Sequence, residues 1–274
     1  ESRGLGDVYK RQVYVFLSCF LLSGCGMIDY HPYDVRISGE TEVNAHNIER
    51  IEANCQGKTT IRFVTMGDSQ RWYDETEDFV KEINKRNDID FVIHGGDMSD
   101  FGLTKEFLWQ RDIMNGLNVP YVVLIGNHDC LGTGAETYKA VFGPTNFSFI
   151  AGNVKFVCLN TNALEYDYSE PVPNFTFMEQ EITSRLDEFE KTVISMHARP
   201  YTDVFNDNVA KVFQHYIRQY PGIQVCTAAH THHYQDDVIF DDGIHYVTSD
   251  CMDYRTYLVF TITPEKYEYE LVKY

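Results

Sequence analysis

The 274-residue chain has no Cys-x-x-Cys pair among its seven cysteines, which excludes the paired-thiolate spacing of a structural zinc module. It carries no internal repeat and no low-complexity linker, so neither a solenoid nor a string of small modules is expected. Basic residues are scarce: 23 Lys and Arg stand against 41 Asp and Glu, for a net charge of −18. Setting aside Arg3, Lys10 and Arg11 together with Glu1 and Asp7 leaves the remainder at −19. A surface this acidic repels nucleic acid and anionic lipid headgroups. A phosphate-bearing substrate therefore needs locally concentrated positive charge, which bound metal ions supply. Apolar residues are plentiful, 43% hydrophobic and 14% aromatic, enough for the core of one globular domain.

Long apolar runs are also few. VYVFLSCFLLSGC (Val13–Cys25) follows Lys10 and Arg11; it has signal-peptide length and is too short to span a bilayer. The preceding ESRGLGDVYKRQ does not start with an initiator and reads as a truncated frame or a cloning scar. The ending LLSGC, with Ser23 and Gly24 before Cys25, resembles the lipobox of bacterial lipoproteins, whose Cys takes the lipid. An ordinary cleaved leader with an incidental Cys is the alternative. The resemblance implies a protein of the bacterial cell envelope, periplasmic or surface-facing, touching membrane only through Cys25. Residues 26–58 are expected to be a tether with a first packed strand. Of the remaining cysteines, Cys55, Cys130, Cys158, Cys226 and Cys251, an odd number leaves at least one unpaired. Cys158 and Cys226 lie in apolar strand-like runs and are expected to be buried thiols. The sequence assigns no oligomeric state.

Strand-like and helical patterns alternate along the rest. IRFVTM reads as a strand, and DETEDFVKEINKR as a helix with Phe79, Val80 and Ile83 on one face. IDFVIH is strand-like, TKEFLWQRDIMNG helical with Thr104 as N-cap, and PYVVLIG a buried strand. Two short strands follow around NFSFIAGNVKFVCLN. A helix with Met178, Ile182, Leu186 and Phe189 on one side precedes TVISM, and another with Val209, Val212, Phe213, Tyr216 and Ile217 precedes IQVCTAA. The tail from Tyr234 alternates like antiparallel strands, in HYVTSD, YLVFTI and YEYELV. The order predicts an α/β protein in which function gathers at the carboxyl ends of strands.

Those ends share a chemistry. GDSQ (Asp68, Gln70) follows the first strand, GGDMSD (Asp97, Asp100) the second and GNHD (Asn127, His128, Asp129) the third; His197 follows TVISM, and HTH (His230, His232) follows IQVCTAA. A single such ending is an ordinary turn; five in succession are not. On an extended segment His230 and His232 point to the same side, within reach of a metal pair about 3.5–4 Å apart, while His233 faces away.

The series resembles the calcineurin-like metallophosphoesterases, whose pattern is D-x-H, GD-x-x-D, GNH-[DE], a strand-end His and GH-x-H. The resemblance runs from about Ile61 to the C-terminus and implies two facing mixed β-sheets flanked by helices, with residues 59–274 as the metallophosphoesterase domain. It implies that Asp68, Gln70, Asp97 and His232 hold one metal and Asp97, Asn127, His197 and His230 the other, with Asp97 as the bridge. It further implies that His128 protonates the leaving oxygen and that Asp100 holds the His128 ring. A hydroxide shared by the two metals would attack phosphorus in line in a small phosphomonoester or phosphodiester. Alternatives are a pyrophosphatase acting on nucleotide diphosphates and a non-catalytic metal- or phosphate-binding lipoprotein. Arg71, Arg199 and Arg255 lie near the motifs and are candidates to grip substrate. Two positions depart from the pattern. Ala229 replaces a Gly, a mild change if its φ is negative, and Gln70 replaces a His, a harder ligand that leans the first site toward Mn or Fe and away from Zn, which stays possible. His94 precedes the glycines and is expected to be structural.

Overall fold

The computed structural model describes residues 36–167 and 170–274; the leader and Cys25 lie outside them. Strands β1 (Ile61–Met66), β2 (Phe91–His94) and β3 (Tyr121–Val123) run parallel, and β10 (Thr256–Ile262) and β11 (Tyr267–Lys273) complete the first sheet antiparallel, in the order β11-β10-β1-β2-β3. The second sheet has the order β4-β5-β6-β7-β9-β8, built from β4 (Phe147–Ala151), β5 (Val154–Leu159), β6 (Lys191–Met196), β7 (Ile223–Ala228), β8 (Gln235–Asp237) and β9 (Tyr246–Thr248).

Strand alternation decides the layering. Phe63, Ile93 and Val122 face Phe156, Val193 and Val225 across the gap between the sheets, where Phe63 meets Phe156 edge-on at 4.9 Å and Phe91 meets it at 5.1 Å. Their neighbours Val64, Val92 and Val123 face outward onto α1 (Val43–Cys55), α2 (Tyr73–Ile83), α3 (Thr104–Met114) and α4 (Gly134–Phe142). On the other side Ile194 and Cys226 face α5 (Phe175–Thr183) and α6 (Ala210–Ile217). The result is two mixed sheets flanked by helices, as expected.

Several local expectations change. Residues 43–55 form a helix rather than a first strand; its Val43, Ile51 and Cys55 are buried, so the apolar positions serve a helical face. Thr104 is the first helical residue, not the N-cap; Leu103 holds that position, and Glu106 Oε2 accepts from the backbone N–H groups of Phe101 and Leu103. The helix expected to carry Met178 through Phe189 on one face ends at Thr183; Arg185 turns left-handed and Leu186 is exposed. In α6, Phe213 and Ile217 are buried but Val212 is exposed. HYVTSD contributes β9, which pairs antiparallel with β8 but parallel with β7, while the last two strands pair antiparallel with each other as expected. Among the described residues the five cysteines are all unpaired, with Cys158 and Cys226 buried.

Candidate metal centre

The parallel strands of both sheets end at one edge, and their loops lock together there. Ala229 N donates to His197 O, and His197 Nδ1 donates to Gly95 O at 2.8 Å, tying β6 and β7 to β2. A side chain at Gly126 is sterically excluded: a Cβ there would sit 2.1 Å from Asp97 Oδ1.

Around this seam the side chains converge. Asp97 Oδ1 accepts from His128 N at 2.9 Å, while its Oδ2 lies 3.0 Å from Gln70 Nε2 and 3.5 Å from His197 Nε2. Asn127 Oδ1 is 3.0 Å from His197 Nε2 and 2.9 Å from His230 Nδ1, so one oxygen and two ring nitrogens face a common point. Asp68 accepts from His230 N through Oδ2 at 3.0 Å, and its Oδ1 lies 3.4 Å from His232 Nε2. One ligand atom each from Asp68, Asp97 and His232 lie within 4.8 Å of one another. Beyond its 3.4 Å ion-pair contact with His232, buried Asp68 Oδ1 has no hydrogen-bond partner, leaving lone pairs that a cation would satisfy.

The electrostatics suit cations. Burial opposes protonation of His197, yet the adjacent Asp97 carboxylate, helped by Asp68 and the Gly95 carbonyl, carries it up to about 9. The Asp68 carboxylate, with Cys251 behind it, holds His232 up at about 10. Carboxylates that retain protons on two neighbouring imidazoles create a field that divalent cations would exploit by displacing those protons. The residues present therefore fit a two-cation site.

The backbone is strained where these converging side chains sit. Asp68 (φ 51°), Gln70 (25°), Asp97 (58°), His230 (74°) and His232 (60°) are all left-handed, at roughly 1 kcal/mol or more each. This corrects the picture of HTH as an extended segment. The rings of His230 and His232 do not project side by side from a strand; positive φ turns His230 toward Asn127 and His232 toward Asp68, with Trp72 5.9 Å from the latter ring. His233 is exposed and packs on Tyr254 at 5.4 Å.

A family model for calcineurin-like phosphoesterases matches residues 61–234. The chain belongs to that family. Solved structures share the fold at low identity: a dimetal phosphatase from Danio rerio (12% identity, TM-score 0.61, covering 78% of this chain and 97% of that one), a purple acid phosphatase from yellow lupin, Lupinus luteus (14%, 0.59, 80% and 52%), and GAP50, the anchor in the inner membrane complex of Plasmodium (11%, 0.59, 79% and 85%). Among curated proteins none matches in sequence.

Against the calcineurin-like pattern, Ala229 has room because the facing positions lack side chains: a Cβ on Gly67 or Gly95 would fall 2.9 Å from that of Ala229. The Asp100 expectation changes. Its backbone carbonyl, not its carboxylate, accepts from His128 Nδ1 at 2.8 Å; the carboxylate is 3.8 Å from that nitrogen and pairs with Arg71 Nη2 at 2.5 Å. Of the three candidate arginines, Arg71 pairs with Asp100 beside His128, Arg199 is held by Gln235 and Asp237, and Arg255 by Asp78 and Glu75. His94 is fully buried, hydrogen-bonded to Ser69 Oγ at 2.8 Å and to Gly96 N, and burial pushes it down to about 3.

Sequence reasoning missed two carboxylates. Asp129 is buried and accepts from the backbone N–H of Asp97, Gly126 and Ser99 and from Ser99 Oγ; burial, then the Asp97 charge, push it up to about 7. It stood in the GNHD motif without a role. Asp203, which has no motif context, places Oδ1 2.6 Å from His230 Nε2.

Proposed function

We propose that the protein is a binuclear metallophosphoesterase that hydrolyses a small phosphomonoester or phosphodiester. The observation that carries this is the convergence of Asp68, Gln70, Asp97 and Asn127 from one sheet with His197, His230 and His232 from the other, beside His128. Asp68, Gln70, Asp97 and His232 would hold one cation, and Asp97, Asn127, His197 and His230 the second, with Asp97 common to both. Mn or Fe suits a set in which Gln70, whose Nε2 donates to Asp97 Oδ2 in this structure, would turn its amide oxygen to the cation, with Zn a third possibility. When bound, the two cations neutralise phosphate oxygens and acidify a water for in-line attack.

The chain's own residues do the rest. The Asp100 carbonyl holds the proton of His128 on Nδ1, which leaves Nε2 as the nitrogen that delivers a proton to the leaving oxygen. Arg71, steadied by the Asp100 carboxylate and largely exposed, has guanidinium N–H groups left to donate to a phosphate oxygen. Assay of Mn-reconstituted protein on p-nitrophenyl phosphate and bis-p-nitrophenyl phosphate tests the reading. Turnover of either supports it and separates monoesterase from diesterase; nucleotide diphosphates cleaved in preference to both indicate a pyrophosphatase; no turnover of any supports a non-catalytic binder.

The lipobox-like LLSGC supports a lipid anchor on Cys25 in a bacterial envelope. Cys25→Ser should release the protein from membranes, because several acyl chains hold firmly where one does not. Unchanged membrane fractionation would contradict the anchor.

A further inference from the structure

Like His197, which sits between Gly95 O and Asn127 Oδ1, His230 has both ring nitrogens against oxygen acceptors, and here one acceptor is a carboxylate. Nδ1 lies 2.9 Å from Asn127 Oδ1 and Nε2 lies 2.6 Å from Asp203 Oδ1. A neutral imidazole has one proton to give. If that proton sits on Nδ1, the lone pair points at Asp203 and the nitrogen facing Asn127 and His197 cannot bind a cation. If it sits on Nε2, the lone pair of Nδ1 points at the place where Asn127 Oδ1 and His197 Nε2 also converge. A carboxylate is a stronger acceptor than an amide carbonyl.

We infer that Asp203 is a positioning residue that keeps the His230 proton on Nε2 and so presents Nδ1 as a ligand to the second cation. This rests on the two-cation reading of the site. The Asp203 carboxylate itself is 89% exposed, so the contact adds little to stability; its effect is on which nitrogen carries the proton. The backbone behind it is well fixed. Val204 and Phe205 are buried, Val204 O accepts from Leu164 N, and Phe205 N donates to Thr202 O. The carboxylate is thus delivered to the solvent side of the His230 ring by a loop anchored in the core. Partners of this kind on metal-bound histidines typically alter metal affinity by about 10–100-fold.

The test uses full-length protein with Mn as the probe cation and nitrogen-15-labelled histidine. In cation-depleted wild type, the ring resonances of His230, assigned by their loss in His230→Gln, should report the Nε2–H tautomer; Asp203→Ala should shift them toward Nδ1–H. Mn titration followed by electron paramagnetic resonance should show one of the two affinities in Asp203→Ala lowered by about 10-fold or more, with the other unchanged. Asp203→Asn, which keeps a neutral acceptor, should fall between. An unchanged tautomer together with wild-type affinity for both cations in Asp203→Ala overturns this inference alone. A wild type that takes up fewer than two Mn overturns the two-cation reading and this inference with it. Circular dichroism of each variant shows whether it is folded, and the tautomer shift is a response that a merely structural loop residue would not produce.

Discussion

At the scale of single residues, the site separates groups that bind from groups that move protons. His128 is anchored twice, through its backbone N–H to Asp97 and its ring to the Asp100 carbonyl, and neither contact uses Nε2. His128→Ala should therefore leave cation content intact and slow hydrolysis by about 100-fold or more for alkyl leaving groups, but far less for p-nitrophenolate, which leaves without a proton. Equal slowing across a leaving-group series would remove His128 from the acid role. His94 makes a different prediction. Its folded pKa of about 3 lies below the ordinary value of 6.5, so the unfolded chain binds the extra proton and stability falls as pH drops below about 6.5. The contribution approaches 1.4 kcal/mol per pH unit, about 2 kcal/mol between pH 6.5 and 5. Urea unfolding of wild type and His94→Gln across that range should show a slope difference of that size; parallel pH profiles would contradict it. The convergence of the strand-end side chains was legible in the sequence because each apolar run ends in a Gly, Asp, Asn or His cluster. The tautomer-setting contacts were not. Asp100 acts on His128 through its main chain, which every residue possesses, and Asp203 sits among loop residues whose approach to His230 depends on the far sheet's folding.

At the scale of elements, the edge of the first sheet shows how the ligand loop after β3 is steadied. β3 is the terminal strand, and an open edge invites unwanted pairing. Asn44 of α1 covers it as a surrogate strand: its amide donates to Val123 O and accepts from Val123 N, both at 2.9 Å. Tyr138 of α4 donates to the same carbonyl. In Asn44→Ala the carbonyl keeps Tyr138, but the buried Val123 N–H loses its partner, a cost of about 1–3 kcal/mol. Tyr138→Phe leaves both Val123 groups bonded to Asn44 and should cost less in denaturant unfolding. A loss in Asn44→Ala under about 0.5 kcal/mol, or the reverse ranking, would refute this account of the edge. This helix was misread as part of a tether and strand because its apolar stripe is thin: Val43, Ile51 and Cys55 share their buried face with Asn44 and Asn47. The neighbouring α2 was legible because Phe79, Val80 and Ile83 form an apolar cluster.

At the scale of the whole molecule, two sheets that share a core are tied at their carboxyl edge by the seam at Gly95, His197 and Ala229. Neither sheet alone carries a complete donor set: the carboxylates and amides of Asp68, Gln70, Asp97 and Asn127 come from one, the imidazoles of His197, His230 and His232 from the other. In a chain of net charge −18, the proposed cations at this seam would also let an anionic phosphate approach. The central claim is that Asp97 joins two cations there, and elemental analysis of purified, Mn-loaded wild type and Asp97→Asn tests it most directly. An amide cannot offer two anionic oxygens, so the account predicts two Mn per chain in the wild type and one or fewer in the variant, with turnover lost. Two Mn per chain retained by folded Asp97→Asn would contradict it.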